Sequence, residues 1–177
     1  MSEAFTILLL LIDATIRVAA PLVLAAFAGL YCERAGVVDI GLEGKMLAGA
    51  FAAAAVAWQT GSPWLGLAAA MAAGVALALV HGFACVTHAG NQVVSGMAIN
   101  ILVAGLAPTL AFAWFQQGGQ TPLLPASARL PQIHLPGVET LGSVPILGPV
   151  YEVVLDDTNV LIWLTAGFAW WKFLGFW

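Results

Sequence analysis

"YCERAGVVDIGLEGKM", residues 31–46, sits between two apolar stretches and gathers Glu33, Arg34, Asp39, Glu43 and Lys45 around Gly36, Gly41 and Gly44. An isolated charge at bilayer depth costs roughly 2.5–3.5 kcal/mol even on the lenient insertion scale. So many charged groups between oily segments must lie either in an ordinary loop or in a polar region lined by protein, where broken backbone is tolerated. Apolar residues are threaded through the acids of "AGVVDIGLEG", unlike a solvated loop, and this texture favours a re-entrant bend over residues 33–45. The three glycines allow the bend, and a half-helix starting near Ile40 would point its amides at a ligand.

The surroundings make the membrane reading firm. Of 177 residues, 62% are hydrophobic and 8% charged, and the mean hydropathy is +0.98. Soluble domains carry about 25% charged residues. Between Lys45 and Arg129 lie 83 residues without an Asp, Glu, Lys or Arg, which no water-facing surface of that length could match. The chain reads as an all-α integral membrane protein, a polytopic helical bundle forming one domain over 1–177. A net charge of −4 leaves no basic stripe for nucleic acid. Cys32 and Cys85 are too few for a disulfide scaffold, and the N-terminus lacks the basic start and cleavage site of a signal peptide.

With about 20 apolar residues as the ruler for a span, the expected crossings are 14–32, 46–58, 64–86, 93–115 and 159–176, about five in all. Residues 5–12 read as an interfacial lead-in, with Asp13 and Arg17 paired at i,i+4. Residues 116–158, rich in Pro and Gly, read as an extracytoplasmic loop. Arg34, Lys45 and Lys172 fall on one side, which the positive-inside rule makes cytoplasmic, so the N-terminus faces outward. Gly66, Ala70, Gly74, Ala78 and Gly82 draw a small-residue ridge for close helix packing. Six tryptophans near span ends (58, 64, 114, 163, 170 and 171) read as headgroup anchors. Glu152, Asp156 and Asp157 read as solvated outer-loop acids.

"NQVVSG", 91–96, reads first as a helix start, with Asn91 as cap and Ser95 and Gly96 easing contact. Its functional reading places Gln92, Ser95 and Asn100 around a passage. Asn100, with Gly96 and Ala104 four residues to either side, faces a close helix contact; its amide serves either an interhelical hydrogen bond or a substrate hydroxyl. His81 and His88 read as interfacial, because a metal would need more ligands nearby.

Three stretches carry a resemblance: "ERAGVVDIGLEGKMLAGAF" (33–51), "TGSPWLGLAAAMAAG" (60–74) and "NQVVSGMAINILVAGL" (91–106). They resemble permease subunits of bacterial ABC importers, in the branched-chain amino acid/ribose-type family and its branch for nucleosides or simple sugars. That family's pattern E-R-[SA]-G-V-V-[ND]-I-G-L-E-G, followed by [DN]-Q-V-[VI]-[SA]-G about fifty residues on, is present in order over roughly 14–150. The resemblance implies a multi-pass subunit of the bacterial inner membrane that moves its substrate by alternating access and does no covalent chemistry, with no cofactor and no metal. The implied partners are a second permease, cytoplasmic ATPases that hydrolyse ATP, and an extracytoplasmic substrate-binding protein or lipoprotein. The implied substrate pathway passes Asp39, Gly41, Glu43, Gln92, Ser95 and Asn100. Asp39 stands where the family often has Asn, so its charge either alters preference or pairs with Arg34. Asp39→Ala and Asn100→Ala are expected to impair uptake without lowering membrane abundance.

Relatives continue beyond the last span into a basic loop that docks the ATPase, whereas this chain ends at "WWKFLGFW". The expectation is therefore the N-terminal part of a longer fold, from a truncated or frameshifted frame or one completed by another polypeptide. Two rivals stand beside it. One is a membrane-embedded enzyme pairing His81 or His88 with Asp39 or Glu43 as acid and base; the other is a small channel or assembly subunit.

Overall fold

Glycine and proline divide the apolar sequence into helices. The computed structural model describes residues 3–133 and 158–175. Its helices are α1 (Glu3–Arg34), α2 (Leu42–Thr60), α3 (Pro63–Gly82), α4 (Gln92–Phe115) and α5 (Val160–Gly175). Contacts group into two compact units: Ala25–Arg129, and Met1–Leu24 together with Leu130–Trp177.

α1 is one unbroken helix of 32 residues, so residues 5–12 are not a separate interfacial piece. Its inner charges do not interrupt it, because Arg17 Nε donates to both Asp13 carboxylate oxygens at 2.9 Å. The helix ends in a Schellman motif: Val37 N bonds Cys32 O and Gly36 N bonds Glu33 O, both at 3.0 Å, with Gly36 at φ +80°.

In the larger unit, α2 turns into α3 at Gly61, whose φ of +68° suits glycine, and Pro63 takes the first turn of α3. A π-helical turn, Phe83–Thr87, extends α3. Asn91 caps α4, accepting from Val93 N at 3.0 Å and Val94 N at 3.2 Å. α2 and α3 pack through small residues: a Cβ on Gly66 would sit 2.7 Å from Ala53 O. The ridge expected on α3 works only over its first half. Gly66 and Ala70 meet α2, whereas Cβ atoms on Gly74 and Gly82 would meet nothing within 4 Å among the described residues. On α4, Ile99, Val103, Ala107 and Ala111 form the buried stripe. Large apolar side chains such as Met71, Leu79 and Val86 face outward, the inside-out pattern of helices solvated by lipid.

Three helical stretches among the described residues are long and apolar enough to cross a membrane: Glu3–Arg34, Pro63–Thr87 and Gln92–Phe115. The chain is an all-α polytopic membrane protein. α2 falls short of that measure because Glu43 and Lys45 open it and Trp58, Gln59 and Thr60 close it. α5, described over 16 residues, is shorter still. After α4 the chain folds back: the 3₁₀ turn Ala126–Ala128 reaches α2, and Trp58 meets Phe115 edge to face at 5.2 Å.

In the smaller unit, Gln132–Ile133 (β1) pairs antiparallel with Thr158–Asn159 (β2), and β2 leads straight into α5. Most of the expected loop 116–158, with Glu152, Asp156 and Asp157, lies outside the described residues.

Candidate functional site

Between α1 and α2 the backbone opens into irregular chain at 37–39 and a turn at 40–41. Several backbone groups there, Val38 N and Ile40 O among them, lack helical partners, and a membrane supplies no water to replace them. Side chains of α4 do so instead. Gln92 accepts from Val38 N through Oε1 at 2.7 Å and donates to Gly36 O through Nε2 at 3.4 Å. Two turns further along, Asn100 accepts from Gly44 N at 2.7 Å and donates to Ile40 O at 3.0 Å. Gln92, Gly96 and Asn100 recur every four residues and so share one face of α4, and the segment 36–44 contacts that face.

Glycine makes the approach possible between these two clamps. A Cβ on Gly96 would sit 2.9 Å from Gly41 N, and one on Gly44 would sit 2.9 Å from both Asn100 Cα and Asn100 Oδ1. No side chain fits at either position without moving backbone.

Charge is handled inside the same junction. The Asp39 carboxylate pairs with Lys45 Nζ, their side chains 4% and 10% exposed, and it accepts from Gly41 N at 3.0 Å. Its partner is Lys45, not Arg34. His81, 2% exposed, lies against the opposite side of this pair, with Nε2 at 3.9 Å from Asp39 Oδ1. His81 is therefore not interfacial. Its Nε2 lies 3.3 Å from Val38 O and its Nδ1 3.0 Å from Ser95 Oγ. A carbonyl only accepts, so Nε2 carries the hydrogen, and in the neutral ring Nδ1 accepts from the Ser95 hydroxyl. Cys85 Sγ, 3.7 Å from Nε2, closes the cluster. His88 is exposed, and its ring meets that of Phe83 at 4.5 Å.

The six pathway residues expected from the sequence thus meet at one place, although up to 61 positions separate them. Their roles differ. Asp39, Gln92, Ser95 and Asn100 hold internal hydrogen bonds, and Gly41 is a backbone contact. The amides of Gly41 and Gly44, expected to point at a ligand, are taken by Asp39 and Asn100. Glu43 is exposed and has no hydrogen-bond or ion-pair partner among the described residues. With Gly44 and Leu47 of α2 and Asn100, Ile101 and Ala104 of α4, it lines an open groove of about 220 Å³. Along the same two helices a larger cavity of about 580 Å³ follows, with Leu47 common to both. Phe51 and Pro108 border it, and Gln120 and Thr121 stand on its polar side.

Lys45 is the participant that sequence reasoning missed, and His81 enters it only through the rival acid–base reading. The available signal for His81 was its position as an ionisable residue inside an apolar run, which by itself points to a specific partner. Acid–base chemistry at His81 is disfavoured, because both ring nitrogens are engaged and the ring is buried.

Residues 11–174 match the sequence model of a family described as "Branched-chain amino acid transport system / permease component". The guanosine ABC transporter permease protein NupQ of Bacillus subtilis is 38% identical over 171 residues, 93% of this chain and 51% of its own length. A Haloferax volcanii protein named "Putative glucose ABC transporter permease protein TsgC13" is 42% identical over 107 residues, 60% of this chain and 32% of its own. The nucleoside ABC transporter permease protein NupC of Lactococcus lactis is 28% identical over 156 residues, 85% of this chain and 47% of its own. The chain spans about half the length of NupQ and NupC and about a third of TsgC13. No solved structure is significantly similar to it.

Proposed function

Because the chain belongs to the permease-component family of branched-chain amino acid transport systems, we propose that it forms part of the membrane pathway of an ATP-driven importer of nucleosides or simple sugars. Relatives bearing guanosine, nucleoside and glucose permease names support that substrate class. The observation that carries the reading is the seam between α2 and α4. It holds two open cavities in series, with polar groups at Glu43 and Asn100 on one end, Gln120 and Thr121 on the other, and apolar wall between. A hydroxylated solute needs polar stations where it rests and few strong contacts where it moves, and midplane sites between helices meet that need.

Around this seam the expected assembly is a second permease, cytoplasmic ATPase subunits that supply the energy, and an extracytoplasmic binding protein that delivers the substrate. By the positive-inside rule the expected side for Arg34 is the cytoplasmic face of the bacterial cell membrane, which would leave the N-terminal end of α1 outside. Lys45 carries less weight in this orientation, since it neutralises Asp39 within the fold. Alternating access would open the seam to each side in turn.

Ala50 and Ala104 line the two cavities and are exposed. In cells expressing the chain with its ATPase and binding-protein partners, Ala50→Trp and Ala104→Trp are expected to abolish uptake of tritiated guanosine and glucose while membrane abundance is unchanged. Undiminished uptake with both variants would contradict a route along this seam.

A further inference from the structure

Two acids lie four residues apart at the start of α2, and the fold treats them oppositely. Asp39 is sealed inside with Lys45 and the Gly41 amide. Glu43 faces the 220 Å³ groove with no partner among the described residues. A carboxylate on a membrane helix is unfavourable without a counterpart, and being an acceptor only it requires a ligand that brings donors. A bare cation is a poor fit, since hard cations take about six or more oxygens and, among the described residues, Glu43 is the one carboxylate lining the groove.

Resting on the importer reading above, we infer that Glu43 reads the sugar of the substrate, accepting hydrogen bonds from a vicinal diol of a ribose or hexose. The names of the relatives point the same way. Guanosine, nucleosides and glucose share no base, but all carry hydroxyl-bearing rings. Carboxylates bind ribose hydroxyls in this manner at dinucleotide sites. Leu47, Ile101 and Ala104 form the apolar wall against which the ring carbons lie, and the Asn100 amide, tied to Gly44 N and Ile40 O, fixes the groove's floor. Specificity at this station is for the diol, and the base is left to other surfaces.

The test uses the membrane complex purified without its binding protein and set in nanodiscs, with tritiated guanosine displaced by unlabelled guanosine or 2′,3′-dideoxyguanosine. The wild type is expected to favour guanosine by about 10- to 100-fold, the range for hydrogen bonds to a charged acceptor. Glu43→Ala lowers guanosine affinity until the two ligands lie within about threefold, as expected once that acceptor is gone. Dideoxyguanosine affinity stays unchanged, and Glu43→Gln, which retains one acceptor oxygen, falls between. A wild-type ratio near unity, or an unchanged ratio in Glu43→Ala, overturns the inference. Equal weakening of both ligands also overturns it, because that is the mark of a structural role. Binding of neither guanosine nor glucose by the wild type would remove the importer reading itself and the inference with it.

Discussion

Near Gly44 the helices α2 and α4 close to backbone distance around a buried ion pair; near Phe51 the same helices part around a cavity of about 580 Å³. Polar side chains in the first region hold partners, whereas Glu43 has none among the described residues. In the second, aromatic rings set the spacing: Phe51 and Trp114 lie 5.8 Å apart, and Trp114 and Phe115 6.4 Å. Polar groups in a membrane need specific partners, so a polar junction becomes rigid and intolerant of substitution. Apolar contact is non-directional, so an apolar seam tolerates space. One pair of helices therefore supplies both a fixed anchor and room for a solute.

The sharpest way to break this contrast is to remove one charge from the junction. Asp39→Ala strands Lys45 in the interior, and the expected loss is about 3–5 kcal/mol, read by detergent-induced unfolding of the purified protein. Loss of uptake in this variant should thus come with loss of membrane abundance, unlike the expectation drawn from the sequence. Replacing both partners by Leu and Met should recover most of the stability. Asn100→Leu comes next: it orphans the part-buried Gly44 N, at about 1–3 kcal/mol, and the more exposed Ile40 O at less, with loss of both guanosine binding and abundance. Gly96→Ala forces the 40–41 backbone off α4, a further loss of about 1–3 kcal/mol by overpacking, seen as a lowered unfolding midpoint. Phe51→Leu, at the open end, should cost least. Loss of its ring contact amounts to about 0.5–1.5 kcal/mol, and thermal unfolding in detergent should shift only slightly. A Phe51→Leu loss as large as that of Asp39→Ala would erase the distinction between the two ends.

Much of this was legible in the sequence, for physical reasons that also mark where legibility stopped. Long uncharged runs demand helices in lipid, so α3 and α4 fall close to where hydropathy puts them, and Asn91 caps as its type and position suggest. Hydropathy does not report the face a helix presents. For that reason the ridge at Gly74 and Gly82 was read as packing although it meets no described neighbour. The i,i+4 spacing of Asp13 and Arg17 foretells their pairing but not its consequence, that α1 runs unbroken through them. The polar residues drew attention as a group, but their division of labour depends on contacts 54 to 60 positions apart. Asp39 looked like the residue that would meet substrate because it departs from the usual Asn. Its charge is matched internally by Lys45, and only the geometry assigns the exposed role to Glu43. His81 reads as interfacial because an apolar run hides the partners that bury it.

The central claim is that the backbone at 37–44 is clamped to α4 by side chains rather than left as a connector. Residue-resolved hydrogen exchange on the unmodified protein in nanodiscs tests it without any mutation. The amides of Val38, Gly41 and Gly44 are predicted to exchange as slowly as those in the middle of α4, since Gln92, Asp39 and Asn100 hold them. Exchange of all three at the rate of an open loop would contradict it.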